Sequence, residues 1–411
     1  MPEVVERYRL IGYFCSTNFY LMEFIEVNTH ELILLSVVGV LFIVQVIYFC
    51  VLYNRIHAHN KAVRQNKLSF SETLPPLSVV ICAKNESENL RSFLPLVLEQ
   101  DYPEFEVIVV NDGSTDESEA LLSTMEKKYS HLYHSFTPEN SRYISHKKLA
   151  LTLGIKASKH DWLVFTEANC YPVSKEWLRL LARNFTPGTD IVLGYSGYER
   201  GRGWTHKKIA FDALFTSMRY LGCALAGKPY MGIGRNMAYR RELFFQQKGY
   251  SAHLNLQRGD DDLFINKIAT GTNTQVETDI DATIRMKPIR YKKDWREEKV
   301  SYMATSQHFK GVERFMLGFE TLTRILFYLV IIAVVALGIV GNRWVVAALG
   351  GLVWLVRYII QLVIINRTAK ELGENRRYYF TLPIFDILQP LQSLRFKILR
   401  AFGGKGDIMT R

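Results

Sequence analysis

Leu77-Ser78-Val79-Val80-Ile81-Cys82-Ala83 is an almost unbroken apolar run that stops at the polar triplet Lys84-Asn85-Glu86. Continuous rather than alternating hydrophobicity over so short a stretch predicts a strand buried on both faces. Glu88 to Gln100 then reads as a helix and Glu106 to Asn111 as a second buried strand, and two such strands joined through a helix form a parallel pair. Working outward, Glu117 to Tyr129 and Lys147 to Ser158 predict further helices, and Trp162 to Thr166 a strand that ends in polar residues. This alternation is that of an α/β fold, a mostly parallel sheet with flanking helices. Ligands in such sheets sit beyond the carboxyl ends of the strands. Lys84-Asn85-Glu86, Asn111 through Asp116 and Glu167-Ala168-Asn169 are therefore expected at one place.

The segments on either side are more apolar. Leu32 to Tyr53, Ile325 to Val340 and Trp344 to Ile365 each approach the roughly 20 residues that cross a hydrocarbon core, and they predict three transmembrane helices. The first begins too late and runs too long for a cleaved signal, and acids precede it where a signal carries bases. Arg357 interrupts the third, so it should face a partner, a cavity or the lipid interface. Residues 54–67 contain Arg55, Lys61, Arg64 and Lys67 without an acid, whereas Glu3, Glu6, Glu23, Glu26 and Glu31 outnumber Arg7 and Arg9 in the first stretch. The positive side belongs in the cytoplasm. The expected organisation is an extracytoplasmic segment over 1–31, a span over 32–53, a linker over 54–76, a cytosolic domain over 77–310, spans over 325–340 and 344–365, and a cytosolic basic tail over 366–411. The setting this implies is a cell inner membrane crossed several times.

A net charge of +11 in 411 residues is concentrated beside the spans and in the tail, where it suits an anionic leaflet; no nucleic-acid partner is expected. Cys15, Cys50, Cys82, Cys170 and Cys223 are scattered, odd in number and free of C-x-x-C spacing, so neither a disulfide frame nor a zinc site is indicated. Gly203 to Lys228 reads as an amphipathic helix, equally suited to a membrane surface or to a face buried on the sheet. Ile384 to Phe402 reads as another, with Ile387, Leu391, Leu394 and Ile398 in one stripe that suits the membrane interface.

Several segments carry chemistry. Asn111 to Asp116 joins a strand to a helix through a Gly-Ser turn and offers backbone donors to a polar ligand, although Asp-Gly-Ser is also ordinary turn and cap chemistry. Lys147 and Lys148 open a helix, and Lys148 reads as a solvated lysine. Gly259-Asp260-Asp261-Asp262 places three carboxylates side by side, so their repulsion raises at least one pKa, which a general base working near neutrality requires. A solvated turn capping a helix from Leu263 is the plainer reading.

Val79 to Glu86, Val107 to Asp116, Lys147-Lys148-Leu149-Ala150-Leu151 and Gly259-Asp260-Asp261-Asp262, in this order and spacing, resemble the family 2 glycosyltransferases over about residues 75–310. The frame of one span before and two after looks like the membrane-bound members that make bacterial cell-surface glycans or glycolipids. The resemblance implies a GT-A, nucleotide-diphospho-sugar transferase (Rossmann-like) domain that takes a nucleotide-sugar donor, a UDP-sugar first. On it, Asp112 contacts the nucleoside, Ala83 and Glu86 line the same pocket, and Lys147 lies near the diphosphate. Glu167-Ala168-Asn169 stands where the family has Asp-x-Asp, so Glu167 and Asn169 are the implied ligands of a divalent metal, Mn or Mg. With one carboxylate fewer, that site should bind more weakly; a plain strand-end turn is the alternative. Asp261, paired with Asp260, matches the catalytic base. Gly234 and Asn236, within Met231 to Tyr239, fall on the acceptor side.

Processive members carry Gln-x-x-Arg-Trp after the base, and the corresponding Glu298-Lys299-Val300-Ser301-Tyr302 keeps none of those key residues. The expectation is accordingly an inverting, non-processive transfer to a membrane-bound glycan or lipid acceptor. A catalytically silent donor-binding or scaffold subunit of a polysaccharide assembly complex is the competing reading, whereas a transporter needs more spans.

Overall fold

The computed structural model describes residues 28–138, 145–254, 256, 258–289 and 292–402. The expected segment 1–31 therefore lies almost wholly outside the described residues, as does the end of the tail. The first helix, α1 (Thr29–Ile47), passes through a π-helical stretch, Tyr48–Tyr53, into α2 (Arg55–Arg64). The stretch read as a linker from residue 54 is thus helical to Arg64, because the span's hydrogen-bond ladder continues through the π turn instead of ending.

The domain that follows contains β1 (Leu77–Ala83), α3 (Ser87–Leu98), β2 (Phe105–Asn111), α4 (Ser118–Lys128), β3 (Leu132–Phe136), α5 (His146–Ala157) and β4 (Trp162–Glu167). Next come β5 (Cys170–Pro172), α6 (Trp177–Ala182), β6 (Ile191–Leu193), β7 (Ser196–Tyr198), α7 (Trp204–Leu225), β8 (Met237–Arg240) and α8 (Arg241–Gln246). It closes with α9 (Asp262–Ile268), β9 (Thr274–Val276), β10 (Ile284–Met286) and α10 (Lys292–Ser306). The main sheet has the order β3-β2-β1-β4-β8-β6-β9, and β5-β10-β7 form a small second sheet. Strands β3, β2, β1 and β4 are mutually parallel, whereas β8 runs antiparallel to both β4 and β6.

Alternate residues of the parallel strands face opposite layers. Val79, Ile81, Val107 and Val109 pack with Leu90, Leu94 and Val97 of α3, while Val80 joins Leu151 and Ile155 of α5 on the other side. Burial on both faces is why these strands lack alternation. The amphipathic helix α7 lies against the sheet: Ile209, Phe211, Leu214, Phe215, Met218 and Leu221 are all buried. The membrane-surface reading of that segment falls away, since its apolar face is already covered by the protein.

Three long helices, Thr29–Arg64, α11 (Glu313–Val340) and α12 (Trp344–Glu371), are long and apolar enough to cross a membrane. Val38, Leu41, Phe327, Ile331, Val334 and Val346 form a core among them, and Ile43, Leu329, Ile332, Leu355 and Ile359 face outward. Helices apolar on their outer faces too suit a hydrocarbon surrounding. The last helix, α13 (Leu382–Phe402), exposes Ile384, Ile387, Leu391, Leu394 and Ile398 and buries Phe385 and Asp386.

Candidate functional site

Parallel pairing sets Ala83 beside Asn111 and Cys82 beside Glu167, so the ends of β2, β1 and β4 form one edge. The loops leaving that edge are knitted together. Asn85 N donates to Ser114 Oγ (2.8 Å), Thr115 N to Asn85 Oδ1 (2.8 Å), and Ser87 N to Asp116 Oδ2 (3.0 Å). Asn85 adopts φ 54°, in the left-handed region an asparagine tolerates in such turns. Behind these loops Asp112 is buried: its N–H donates to Ala83 O (2.8 Å), and its Oδ1 accepts from Thr137 Oγ1 (3.0 Å). Lys84 and His146 approach the same carboxylate at 3.8 and 3.4 Å. Burial raises the pKa of Glu86, whose Oε2 accepts from Asn89 (2.6 Å).

Two strands along the edge from Asp112, Glu167 receives Lys147 Nζ on Oε1 (2.8 Å) and Arg235 Nε on Oε2 (3.0 Å). Burial alone would raise its pKa; these two cations hold it well below the usual carboxylate range. The same Lys147 ammonium lies 3.2 Å from Asp260 Oδ2, so it ties the end of β4 to the turn before α9. Burial disfavours that charge, but Asp260 and Glu167 raise its pKa above the ordinary lysine value. Cys82, Lys147, Thr166, Glu167, Gly234 and Asp260 line one small enclosed cavity here.

Asp261 is only 6% exposed, and burial followed by the neighbouring Asp260 charge raises its pKa. Its Oδ2 accepts from Gly234 N (3.0 Å) and lies 3.4 Å from Tyr302 Oη, while Oδ1 accepts from Asp262 N (2.8 Å). A Cβ on Gly234 would stand 3.4 Å from that of Asp261, an ordinary contact distance. Asp262 is fully buried and bonded to Thr305 Oγ1 and to Leu263 N, which leaves it turned away from the cavity.

Two sequence readings meet different geometry. Asn236 is buried, with both amide hydrogens engaged by Tyr195 O (2.7 Å) and Ala282 O (2.9 Å) and its oxygen by Trp177 Nε1 (2.9 Å); it braces the sheet and has no N–H left to read an acceptor. Lys148 is not solvated: it is buried and donates to His253 O (2.6 Å) and Leu256 O (2.7 Å). Asn169 turns its amide oxygen to Cys170 Sγ (3.1 Å).

Other residues enter the site that the motifs did not assign. Arg235 Nη2 donates to Glu298 Oε1 (2.6 Å), and Glu298, Tyr302 and Thr305 bring one face of α10 against Arg235, Asp261 and Asp262. Their spacing of four and three is the only signal the sequence offered.

A divalent ion needs oxygen ligands. Among the described residues no group of three or more His, Cys, Asp or Glu side chains is placed to hold one. Glu167 and Asp260 nevertheless converge on a single cation position, now taken by the Lys147 ammonium. One or two carboxylates completed by substrate phosphates are the usual surroundings of Mg²⁺, so this donor set fits an ion that shares a bound diphosphate.

Comparisons with known proteins bear on this geometry. Residues 78–245 match the family described as Glycosyl transferase family 2. Glycosyltransferase AglE of Haloferax volcanii is 31% identical over 152 residues, 36% of this chain and 48% of that protein. A poly-beta-1,6-N-acetyl-D-glucosamine synthase of Staphylococcus epidermidis is 30% identical over 93 residues, 23% of this chain and 21% of the synthase. The chain thus spans about half of the first relative's length and about a fifth of the second's. A mannosyltransferase of Pyrobaculum calidifontis, PcManGT, solved with GDP-Man and Mn²⁺, superimposes with TM-score 0.55 at 17% identity, covering 89% of this chain and 98% of that one; it attests the fold. Residues 78–245 are thus similar to the family 2 glycosyltransferases, and the chain shares the GT-A fold of the mannosyltransferase structure, joined to three helices long and apolar enough to cross a membrane.

Proposed function

We propose that this chain transfers one sugar at a time, with inversion, from a nucleotide-diphosphate donor to an acceptor held at the membrane. One observation carries the reading: Lys147 bridges Glu167 and Asp260, so the cation that would meet the donor diphosphate and the turn carrying the candidate base Asp261 share one cavity. Asp112, with Ala83 and Glu86 beside it, would receive the nucleoside at the neighbouring strand end. Asp261 takes the proton of an acceptor hydroxyl, and that oxygen attacks the anomeric carbon. The bond from this carbon to the diphosphate oxygen breaks, and the nucleoside diphosphate leaves with the electron pair. Burial and the neighbouring Asp260 charge raise the pKa of Asp261 and so make it a stronger proton acceptor. Lys147 meets the charge that develops on the leaving group. Glu167 and Asp260 would hold a divalent ion, which supplies further positive charge against the diphosphate when bound.

The basic residues after the first span support a cytosolic catalytic domain at the cytoplasmic membrane. The exposed stripe of α13 supports a helix lying at the lipid interface. The departure from two carboxylates at Glu167-Ala168-Asn169 is what favours the silent scaffold as a second reading.

Donor hydrolysis and nucleotide affinity, measured on the purified full chain and on Asp261→Asn, test the proposal. Turnover should fall at least about 100-fold in the variant while nucleotide affinity stays within about twofold. Wild type that binds nucleotide and never turns over a panel of nucleotide sugars establishes the scaffold instead.

A further inference from the structure

Three carboxylates of the site already hold a cation. Glu167 holds Lys147 and Arg235, Asp260 holds Lys147, and Glu298 holds Arg235. Arg258 stands among the same groups and is bonded to none of them. Its guanidinium lies 5.9 Å from the Tyr302 ring centroid, and Lys147, Glu167, Asp260 and Glu298 are all within its electrostatic reach. It makes no hydrogen bond or ion pair with another described residue. It is half-buried and keeps some solvent contact. Holding a half-buried guanidinium without a carboxylate partner among the described residues is costly, and its planar fork matches phosphate oxygens.

We infer that Arg258 is a substrate-binding residue that takes a phosphate of the donor diphosphate. The inference rests on the donor reading given above. Lys147 and Arg235 are anchored to carboxylates and so supply charge from fixed positions, whereas Arg258 donates to no described residue and can turn its donors to an incoming ligand. Its place three residues before Asp261 sets that contact beside the transfer step, so the Arg258 bond strengthens as charge accumulates on the departing diphosphate. A lipid-linked acceptor phosphate presents the same oxyanion chemistry. The donor is favoured because Lys147 and Glu167, at the strand end where a diphosphate would sit, lie within the electrostatic reach of Arg258.

The test is calorimetry on the purified full chain in detergent with UDP, GDP and the matching nucleosides, for wild type, Arg258→Ala and Arg258→Lys. The alanine variant should bind the wild type's preferred diphosphate about tenfold or more weakly while its nucleoside affinity is unchanged, and lysine should recover part of the loss. Donor hydrolysis should show a lower kcat as well as a higher KM. Unchanged diphosphate affinity in Arg258→Ala, or an equal loss for diphosphate and nucleoside, overturns the inference and leaves the donor reading standing. Wild type that binds neither UDP nor GDP overturns both. Arg258→Gln, checked for an unaltered unfolding temperature, replaces the alanine variant should the latter fail to fold, and the same two outcomes decide.

Discussion

Lys148 carries a charge into the interior next to the Asp260 to Asp262 turn. Burial pulls its pKa down to about 8, against the opposing pull of those three carboxylates. The unfolded chain holds that proton up to about 10.5, so between pH 8 and 10.5 the unfolded state binds more protons and stability rises with pH. Wild type should therefore gain up to about 1.4 kcal/mol per pH unit over this window relative to Lys148→Met. Denaturant unfolding of both proteins at pH 8 and 10 measures the difference in slope, and parallel slopes would exclude a depressed Lys148. Two adjacent lysines thus have separate tasks: Lys147 reaches the cavity edge, while Lys148 holds His253 O and Leu256 O, ahead of the candidate base Asp261. Nothing in Lys147-Lys148 distinguishes them until α5 is docked on the sheet and one side chain is turned inward.

Helices in this protein join structures that chain order separates. Gly222 of α7 faces the π-helical stretch at the base of the first span, and a Cβ there would lie 2.7 Å from the Leu52 carbonyl oxygen. The listener on the other side is backbone, which cannot rotate away. Gly222→Ala should cost about 1–3 kcal/mol and lower the unfolding temperature in detergent, with nucleotide affinity unaltered. An unchanged unfolding temperature would show that the contact yields freely. Helix α10 has a comparable joining role at the site itself. Its sequence had lost the processive motif and so read as a departure, yet Glu298 and Tyr302 still reach Arg235 and Asp261. Helical spacing placed these residues on one face; which surface that face meets depends on how α10 crosses α9.

The sheet domain and the long helices share an interior. Phe49, Tyr53 and Ile56 of the first helix, Phe211 and Phe215 of α7, and Ile365 and Ala369 of α12 belong to one core that continues to Phe165 and Leu193 of the sheet. A polar cluster sits within the same junction. Asp386 of α13 accepts from Arg324 Nη1 (3.1 Å) and Arg357 Nη1 (2.9 Å), and Arg357 Nη2 donates to Gln45 (3.0 Å). Arg357, the charge that interrupts the third apolar stretch, thus faces a partner. Asp386→Ala would leave the buried Arg357 without a carboxylate and Arg324 with Glu320 alone, and should cost about 3–5 kcal/mol. The readout is the unfolding temperature and the yield of folded protein, and a variant as stable as wild type would remove the cluster's structural role. From the sequence alone came the parallel α/β core, the three apolar helices and the strand ends that carry polar residues, because burial on both faces and the length of an apolar run are local properties of the chain. Only the tertiary structure decided that Lys147 bridges Glu167 and Asp260, that Asn236 is closed inside the core and that Asp386 pairs with Arg324 and Arg357. Such pairings depend on which distant side chains packing brings within about 3 Å, and no local pattern encodes that distance.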